Sequence, residues 1–305
     1  MENLNRNNSL IVLVGPTGIG KTELSLKIAG ELDTIIISSD SRQIFKELKI
    51  GTAAPTPEQL KLVPHFMVGT HSIHDYYNAY QFEQDVLALL NNKFPEHPNI
   101  LMAGGSMMYV DAVCKGIDDI PTIDTELRKE LLERYEKEGI ESIRHELKIL
   151  DPDFYNQVDL KNHKRVIHAV EVCLMAGKPY SSLRKNHSRE RGFKQIHIGL
   201  DMDRAELYDR INRRVDKMLE AGLENEAREF YPYKKLNSLN TVGYKELFQY
   251  FDGNISYEQA VELIKRNSRR YAKRQLSWFR RDKERVWFHP NQVDEIMEFI
   301  NSKLF

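Results

Sequence analysis

Apolar and polar positions follow two rhythms along the first third of the chain. Leu10 to Val14 is an unbroken apolar run the length of a buried strand, and Lys21 to Glu31 then spaces its apolar residues as a helix does. Thr34 to Ser38 is a second strand-like run that ends at Asp40, Tyr76 to Asn92 is a second helical pattern, and Ile100 to Ala103 is a third run, ending in Gly104-Gly105-Ser106. Strands alternating with helices predict an α/β fold with a parallel sheet flanked by helices. Ligands collect at the C-terminal ends of such strands, so Asp40 and Gly104 are expected near the turn that follows the first strand.

After Gly116 the rhythm changes. Residues 124–138 and 139–149 read as short charged helices, Asp151-Pro152 as a turn, and Leu160 to Met175 as a helix stopped by Gly177 and Pro179. The polar link Ser181 to Gly192 returns to an alternating apolar run, Gln195 to Leu200. This pattern predicts a core of residues 1–116 and 195–305 interrupted by a helical insertion at 117–194. Asp203 then caps a helix running to Leu219, and a long helix at 257–281 carries an apolar stripe with Lys and Arg on its other side.

The turn after the first strand is Gly15-Pro16-Thr17-Gly18-Ile19-Gly20-Lys21-Thr22, which fits the phosphate-loop (P-loop) pattern Gly-x4-Gly-Lys-Thr. Glycines let the backbone fold around phosphate oxygens, the helix start offers unpaired N–H groups, and Lys21 adds a full charge. Thr22 suits a hydroxyl ligand for Mg²⁺, and Thr17 a donor from inside the loop. The loop alone does not say which bond breaks. A kinase usually carries an aspartate at the end of a later strand, where this chain has Gly104-Gly105-Ser106. Asp40, in Asp40-Ser41-Arg42-Gln43, suits a proton acceptor or a water-mediated metal ligand, with a turn cap as the plain alternative. Gln43 suits the reading of a base edge. Arg210 and Arg214 share a helix face and suit a diphosphate clamp, against a solvated surface. Asn240, Gly243, Tyr244 and Lys245 combine a glycine turn, a ring and a base that suit single-stranded RNA, against a turn packed by Tyr244.

Charge changes the picture by its placement. The chain is net −1, yet residues 265–285 hold ten Lys/Arg against Asp282 and Glu284, and 160–192 hold eight against Glu171 and Glu190. Segment 118–153 is acidic. Two concentrated basic segments suit a polyanionic partner, with solvated helix faces as the alternative. A polar N-terminus and the lack of any long apolar stretch predict neither secretion nor membrane spanning, and the two cysteines, Cys114 and Cys173, fit a reducing cytoplasm. The histidines lack ligand spacing. A Mg·ATP-dependent kinase and an RNA-binding adaptor remain as other readings. The kinase leaves the basic segments without a purpose, and Lys21, Thr22 and Asp40 argue against an idle adaptor.

The order and spacing of several pieces make the chain resemble the bacterial tRNA dimethylallyltransferase (tRNA isopentenyltransferase) family from Leu10 to Phe288. These are Gly15-Pro16-Thr17 with Gly20-Lys21-Thr22, Asp40-Ser41-Arg42-Gln43-Ile44-Phe45, Ile50-Gly51-Thr52-Ala53, Val63-Pro64-His65, Gly104-Gly105-Ser106-Met107-Met108-Tyr109, Val242-Gly243-Tyr244 and Ala272-Lys273-Arg274-Gln275-Leu276-Ser277-Trp278. The resemblance implies transfer of a prenyl group from dimethylallyl diphosphate, with Mg²⁺, to the exocyclic N6 of adenosine 37 beside the tRNA anticodon. It implies catalytic roles for Asp40 and Ser106, and donor contacts from Gly15, Thr17, Gly18, Gly20, Lys21, Thr22, Arg210 and Arg214. Mg²⁺ would be held by Thr22 and by Asp40 through water. Contacts to the anticodon stem-loop would come from Asp40, Ser41, Arg42, Gln43, Lys164, Arg165, His168, Asn240, Gly243, Tyr244, Lys245, Arg269, Lys273 and Arg274. A monomer is the default expectation.

Overall fold

The computed structural model describes residues 8–118, 124–184 and 189–304. Six parallel strands form one sheet: β1 (Ser9–Val14), β2 (Ile36–Ser39), β3 (His65–Phe66), β4 (Asn99–Gly104), β5 (Lys194–Leu200) and β6 (Val286–Phe288), in the order β3-β2-β4-β1-β5-β6. The apolar run Leu10–Val14 is the centre of the sheet and is fully buried, because both of its faces are covered. Strand alternation divides it between two cores. Leu10, Val12 and Val14 pack with Phe82, Val86 and Leu90 of the helix Ala79–Lys93, whereas Ile11 and Leu13 pack with Leu24 and Ile28 of Lys21–Glu31 and with Leu207 and Ile211 of Arg204–Glu220.

Register places the site. Val14 lies opposite Gly104 on one side and Gly199 on the other, and Ser39 also lies opposite Gly104. The segments that follow β1, β2 and β4 therefore leave the sheet at one edge, and Gly15, Asp40 and Gly105 come together. A side chain on Gly104 has no room, since a Cβ there would fall 2.3 Å from the Ser39 hydroxyl.

The helix expected at 76–92 starts at Ala79 because Asn78 and Gln81 cap it reciprocally. Met107–Lys115, which the hydrophobic pattern did not separate from the preceding loop, is a helix with Val110, Ala112 and Val113 buried. No described helix is long and apolar enough to cross a membrane.

The chain divides into two compact units, Met1–Cys114 with Glu190–Phe305, and Lys115–Arg189. The return to the first unit comes earlier than the residue 195 expected from the sequence. Arg191 donates to the carbonyls of Val113 and Ala112 and to the buried Glu83 carboxylate, and Phe193 packs against Phe94 in the core. Part of the link expected at 181–192, residues 185–188, lies outside the described residues. The second unit is all helix among its described residues, built around Leu131, Ile143, Leu147, Val166 and Val170. Buried Asp151 fastens it by accepting hydrogen bonds from Phe154 N–H and from the Ser181 backbone and hydroxyl. Gly177, at φ 61°, ends the helix His163–Ala176 in the left-handed conformation.

Candidate active site

The loop after β1 turns into the helix Lys21–Glu31 through Gly20, which takes φ 102° and supplies no side-chain cap. The first-turn N–H groups are left for an anion, and the helix dipole favours one there. Lys21 Nζ donates to the carbonyls of Gly15 and Pro16, both at 2.9 Å, and so lies across its own loop. Burial, with Arg214 nearby, pulls its pKa down to about 7, and Asp40 opposes the shift. Gly18, Gly20, Lys21 and Thr22 line a cleft of about 500 Å³ together with Arg210, Arg213, Arg214 and Lys217. Arg210 Nε donates to Gly18 O at 3.1 Å, which ties the helix Arg204–Glu220 to the loop. Burial also lowers the pKa of Arg214, again against the pull of Asp40. The cleft thus gathers cations, the innermost of them buried, around the loop, with Glu23 and Glu206 also in its lining, and suits a small polyanion. Gly15 lies outside this lining and contributes its carbonyl to Lys21.

Asp40 stands on the wall between this cleft and a second cavity of about 260 Å³. Its Oδ1 accepts from Arg42 N–H at 2.9 Å and Gln43 N–H at 3.4 Å, so it does cap the turn. Oδ2 accepts no hydrogen bond from the described residues. One oxygen therefore fixes the carboxylate while the other is left for chemistry. Thr17, Arg214 and Tyr271 line both spaces as well.

Several expected contacts are rearranged by packing. The Ser106 hydroxyl accepts from Ser41 N–H at 2.7 Å and donates to the Ser41 hydroxyl at 3.0 Å, and it lines neither cavity. Ser106 thus steadies the turn that carries Asp40. Gln43 is not free to read a base edge, because its amide donates to Thr52 O and Ala53 O and accepts from the Ser38 hydroxyl. Arg42 donates to the carbonyls of Asn237 and Ser238. Tyr244 is fully buried with its hydroxyl on Glu226 at 2.6 Å, so it cannot offer its ring to a base. That Glu226 carboxylate also accepts from the N–H groups of Lys49, Ile50 and Gly51. A Cβ on Gly51 would meet the Tyr244 ring at 2.6 Å. Tyr244 therefore builds a wall of the second cavity from behind, while Asn240, Gly243 and Lys245 line it.

Of the basic residues on the helix Tyr257–Phe279, Arg266, Arg270, Lys273 and Arg274 are exposed, and Arg274 lines the second cavity. Arg269 instead donates to Asn212 Oδ1 at 2.6 Å and holds two helices together. In the separate helical unit, Lys164 and Arg165 are exposed near the start of His163–Ala176. His168 turns its ring to Glu171, which is also paired with Arg128.

Two residues were missed by sequence reasoning. Gln275 is buried in the helix Tyr257–Phe279, accepts from Thr17 N–H at 2.9 Å and donates to Gly105 O at 2.8 Å. One amide thus joins the phosphate loop to the end of β4. Tyr271 lines both cavities, and burial next to Asp40 pushes its hydroxyl up to about 12. Gln275 stood in the sequence as a polar residue on an apolar stripe and within a motif of the resemblance, with no role attached, and Tyr271 stood only on that stripe. Gln275→Leu leaves the buried Gly105 carbonyl and the half-buried Thr17 N–H without this partner, at about 1–3 kcal/mol for the buried group and less for the other. Donor kcat/KM should fall about tenfold or more with tRNA affinity held, as read by steady-state kinetics beside a binding titration, and an equal loss of both would remove the loop-holding role.

Comparison with known proteins identifies the family. The family model described as IPP transferase matches residues 43–282. The chain is 59% identical to tRNA dimethylallyltransferase 1 of Phocaeicola vulgatus over 97% of this chain and 98% of that protein, and 59% identical to its namesake in Bacteroides thetaiotaomicron over 96% and 95%. The crystal structure of a full-length tRNA isopentenylpyrophosphate transferase from Bacillus halodurans superposes with a TM-score of 0.71, at 35% identity, over 97% of both chains. With a glycine-rich loop after β1 and an aspartate capping the turn after β2, the chain belongs to the IPP transferase family, the tRNA dimethylallyltransferases.

Proposed function

We propose that Asp40 is the base in the reaction of this enzyme and that the two cavities meeting at it receive the two substrates. The enzyme transfers the dimethylallyl group of dimethylallyl diphosphate to N6 of adenosine 37 of tRNA. The observation that carries the assignment is the position of Asp40, on the shared wall of a cation-lined cleft and a cavity open to the basic rim. The diphosphate occupies the cleft at Gly18, Gly20, Lys21 and Thr22, with Arg210 and Arg214 opposite. The adenine enters the second cavity, extracted from a loop where unstacking is cheap.

As N6 forms its bond to the allylic C1, the bond from C1 to the diphosphate oxygen breaks and the electron pair leaves with diphosphate. The N6 proton passes to the carboxylate of Asp40. The charge growing on the leaving group meets Arg214, the helix N–H groups and Lys21, whose ammonium the incoming diphosphate restores, and fixed donors of this kind are where electrostatic catalysis is strongest. Alignment of N6 with C1 supplies the rest, since the allylic carbon is already a good electrophile. Thr22 and Asp40 offer a hydroxyl and a carboxylate at the same cleft. That oxygen set suits a small hard cation which keeps water and substrate oxygens as its other ligands. No group of three His, Cys, Asp or Glu that would make a protein-only cage is present among the described residues. Held there by Thr22 and, through water, by Asp40, Mg²⁺ would neutralise charge on the diphosphate. We place the enzyme in the cytoplasm, working as a single chain.

The deciding assay offers the enzyme an unmodified anticodon stem-loop with dimethylallyl diphosphate or with ATP. Prenylated adenosine with the first donor and no phosphate transfer with the second is the expected result, and the reverse would overturn the reading. Lys273→Ala with Arg274→Ala should weaken stem-loop binding and flatten its salt dependence by about one log unit per log unit of salt for each phosphate that the variant no longer neutralises. Binding titrations at several salt concentrations measure this, and an unchanged slope would take these residues off the tRNA path.

A further inference from the structure

We propose that a third cavity, walled by aromatic rings beside the adenine site, takes the base of a nucleotide adjacent to the adenosine being modified. The cavity has a volume of about 240 Å³ and is lined by Arg42, His74, Tyr76, Tyr77, Tyr109 and Asn237, among others. It shares Ser41 and Arg42 with the adenine cavity, so the two spaces lie on either side of the turn that carries Asp40.

Aromatic rings and one guanidinium make up much of the lining, and most of them are held in place by their neighbours. Tyr109 stacks on Phe82 with centroids 4.1 Å apart, and Tyr77 is held by His71 at 4.1 Å and by a hydrogen bond from its hydroxyl to Asp85 at 2.7 Å. The Arg42 guanidinium is fixed by the carbonyls of Asn237 and Ser238 at 3.1 and 3.0 Å, and so forms a rigid cationic partition. His74 is exposed and meets Tyr233 edge-on at 4.9 Å. Exposed Asn237 adds an amide with both a donor and an acceptor. Rings and a guanidinium plane with a bifunctional amide at the rim are the means by which proteins hold a splayed-out base.

The occupant follows from the reaction. Drawing one adenine out of the anticodon loop deprives its neighbours of a stacking partner, and a neighbouring base is tethered within reach of the next cavity. Stacking there returns part of the cost of extraction and ties binding to a correctly placed adenosine. This inference rests on the adenine lying against Asp40.

The test measures binding without donor, so that no turnover occurs, using three stem-loops: intact, abasic immediately 5′ of the target adenosine, and abasic immediately 3′ of it. Tyr76→Ala and His74→Ala truncate half-buried and exposed rings respectively, so the fold is retained. Each should weaken the intact stem-loop about tenfold, in line with the loss of one base stack. Against one of the two abasic loops the same variants should cost nothing, and that loop identifies the occupant. Equal losses on all three loops, or no loss on any, would overturn the proposal. Turnover of Asp40→Asn on the intact loop separates the two ideas. A full-rate Asp40→Asn overturns the placement of the adenine, whereas a slow one combined with uncoupled ring variants overturns the aromatic cavity alone.

Discussion

Asp40→Asn should lower kcat by about 10²- to 10⁴-fold, the usual range for a general base, while stem-loop affinity stays within a small factor of wild type. Asparagine is the sharper substitution than alanine, because its Oδ1 can still accept from Arg42 and Gln43 N–H and keep the turn. What it loses is the charge and the capacity to take a proton. The carboxylate also opposes the fall in the pKa of Lys21, so the variant makes the ammonium easier to lose. Single-turnover rates at saturating donor, below pH 7 where Lys21 is charged, isolate the proton transfer from that effect. A rate near wild type under those conditions would remove Asp40 from the base role.

Lys21→Ala should cost the donor side most, lowering kcat/KM for dimethylallyl diphosphate by about 10²-fold or more with tRNA binding intact, since a buried charge on the leaving group goes unanswered. The pH behaviour of the wild type carries the same information. With its pKa brought down from 10.5 to about 7, Lys21 is largely neutral above that value in the free enzyme. An incoming diphosphate restores the ammonium, so binding takes up a proton and donor affinity should fall by about tenfold per pH unit above pH 7. The folding linkage has the opposite sign. Between pH 7 and 10.5 the unfolded chain holds the proton that the folded chain has released, so this group makes the fold more stable as pH rises through that window. Donor binding by calorimetry in buffers of different ionisation heat measures the uptake. Binding without proton uptake at pH 8 would show that Lys21 is already charged.

The two cavities have an unequal basis in local sequence. One wall of the cation-lined cleft is a contiguous turn, residues 17–23, which the glycine spacing, Lys21 and Thr22 announced directly, whereas Arg210, Arg213, Arg214 and Lys217 reach it from a distant helix. The acceptor side is assembled from the 40–52 segment, the 240–245 turn and two helices. Residue type assigned RNA contacts to Tyr244 and Gln43, and the family resemblance one to Arg269, and packing gave all three to the protein itself. Tyr244 props the wall, Gln43 closes a loop, and Arg269 joins two helices. Each polar group found a protein partner, as buried or half-buried polar groups must.

The sequence by itself determined the parallel sheet, the helical interruption and the strand-end positions of the phosphate loop and Asp40, because apolar periodicity and glycine spacing act over a few residues. Only the tertiary structure decided that Gln275 closes the loop at Thr17, 258 positions away along the chain, that Ser106 serves the Asp40 turn, and that Arg42 divides two cavities. Those outcomes depend on which buried donors and acceptors meet when the helices pack. Long-range pairing of that kind leaves no period in the chain to read.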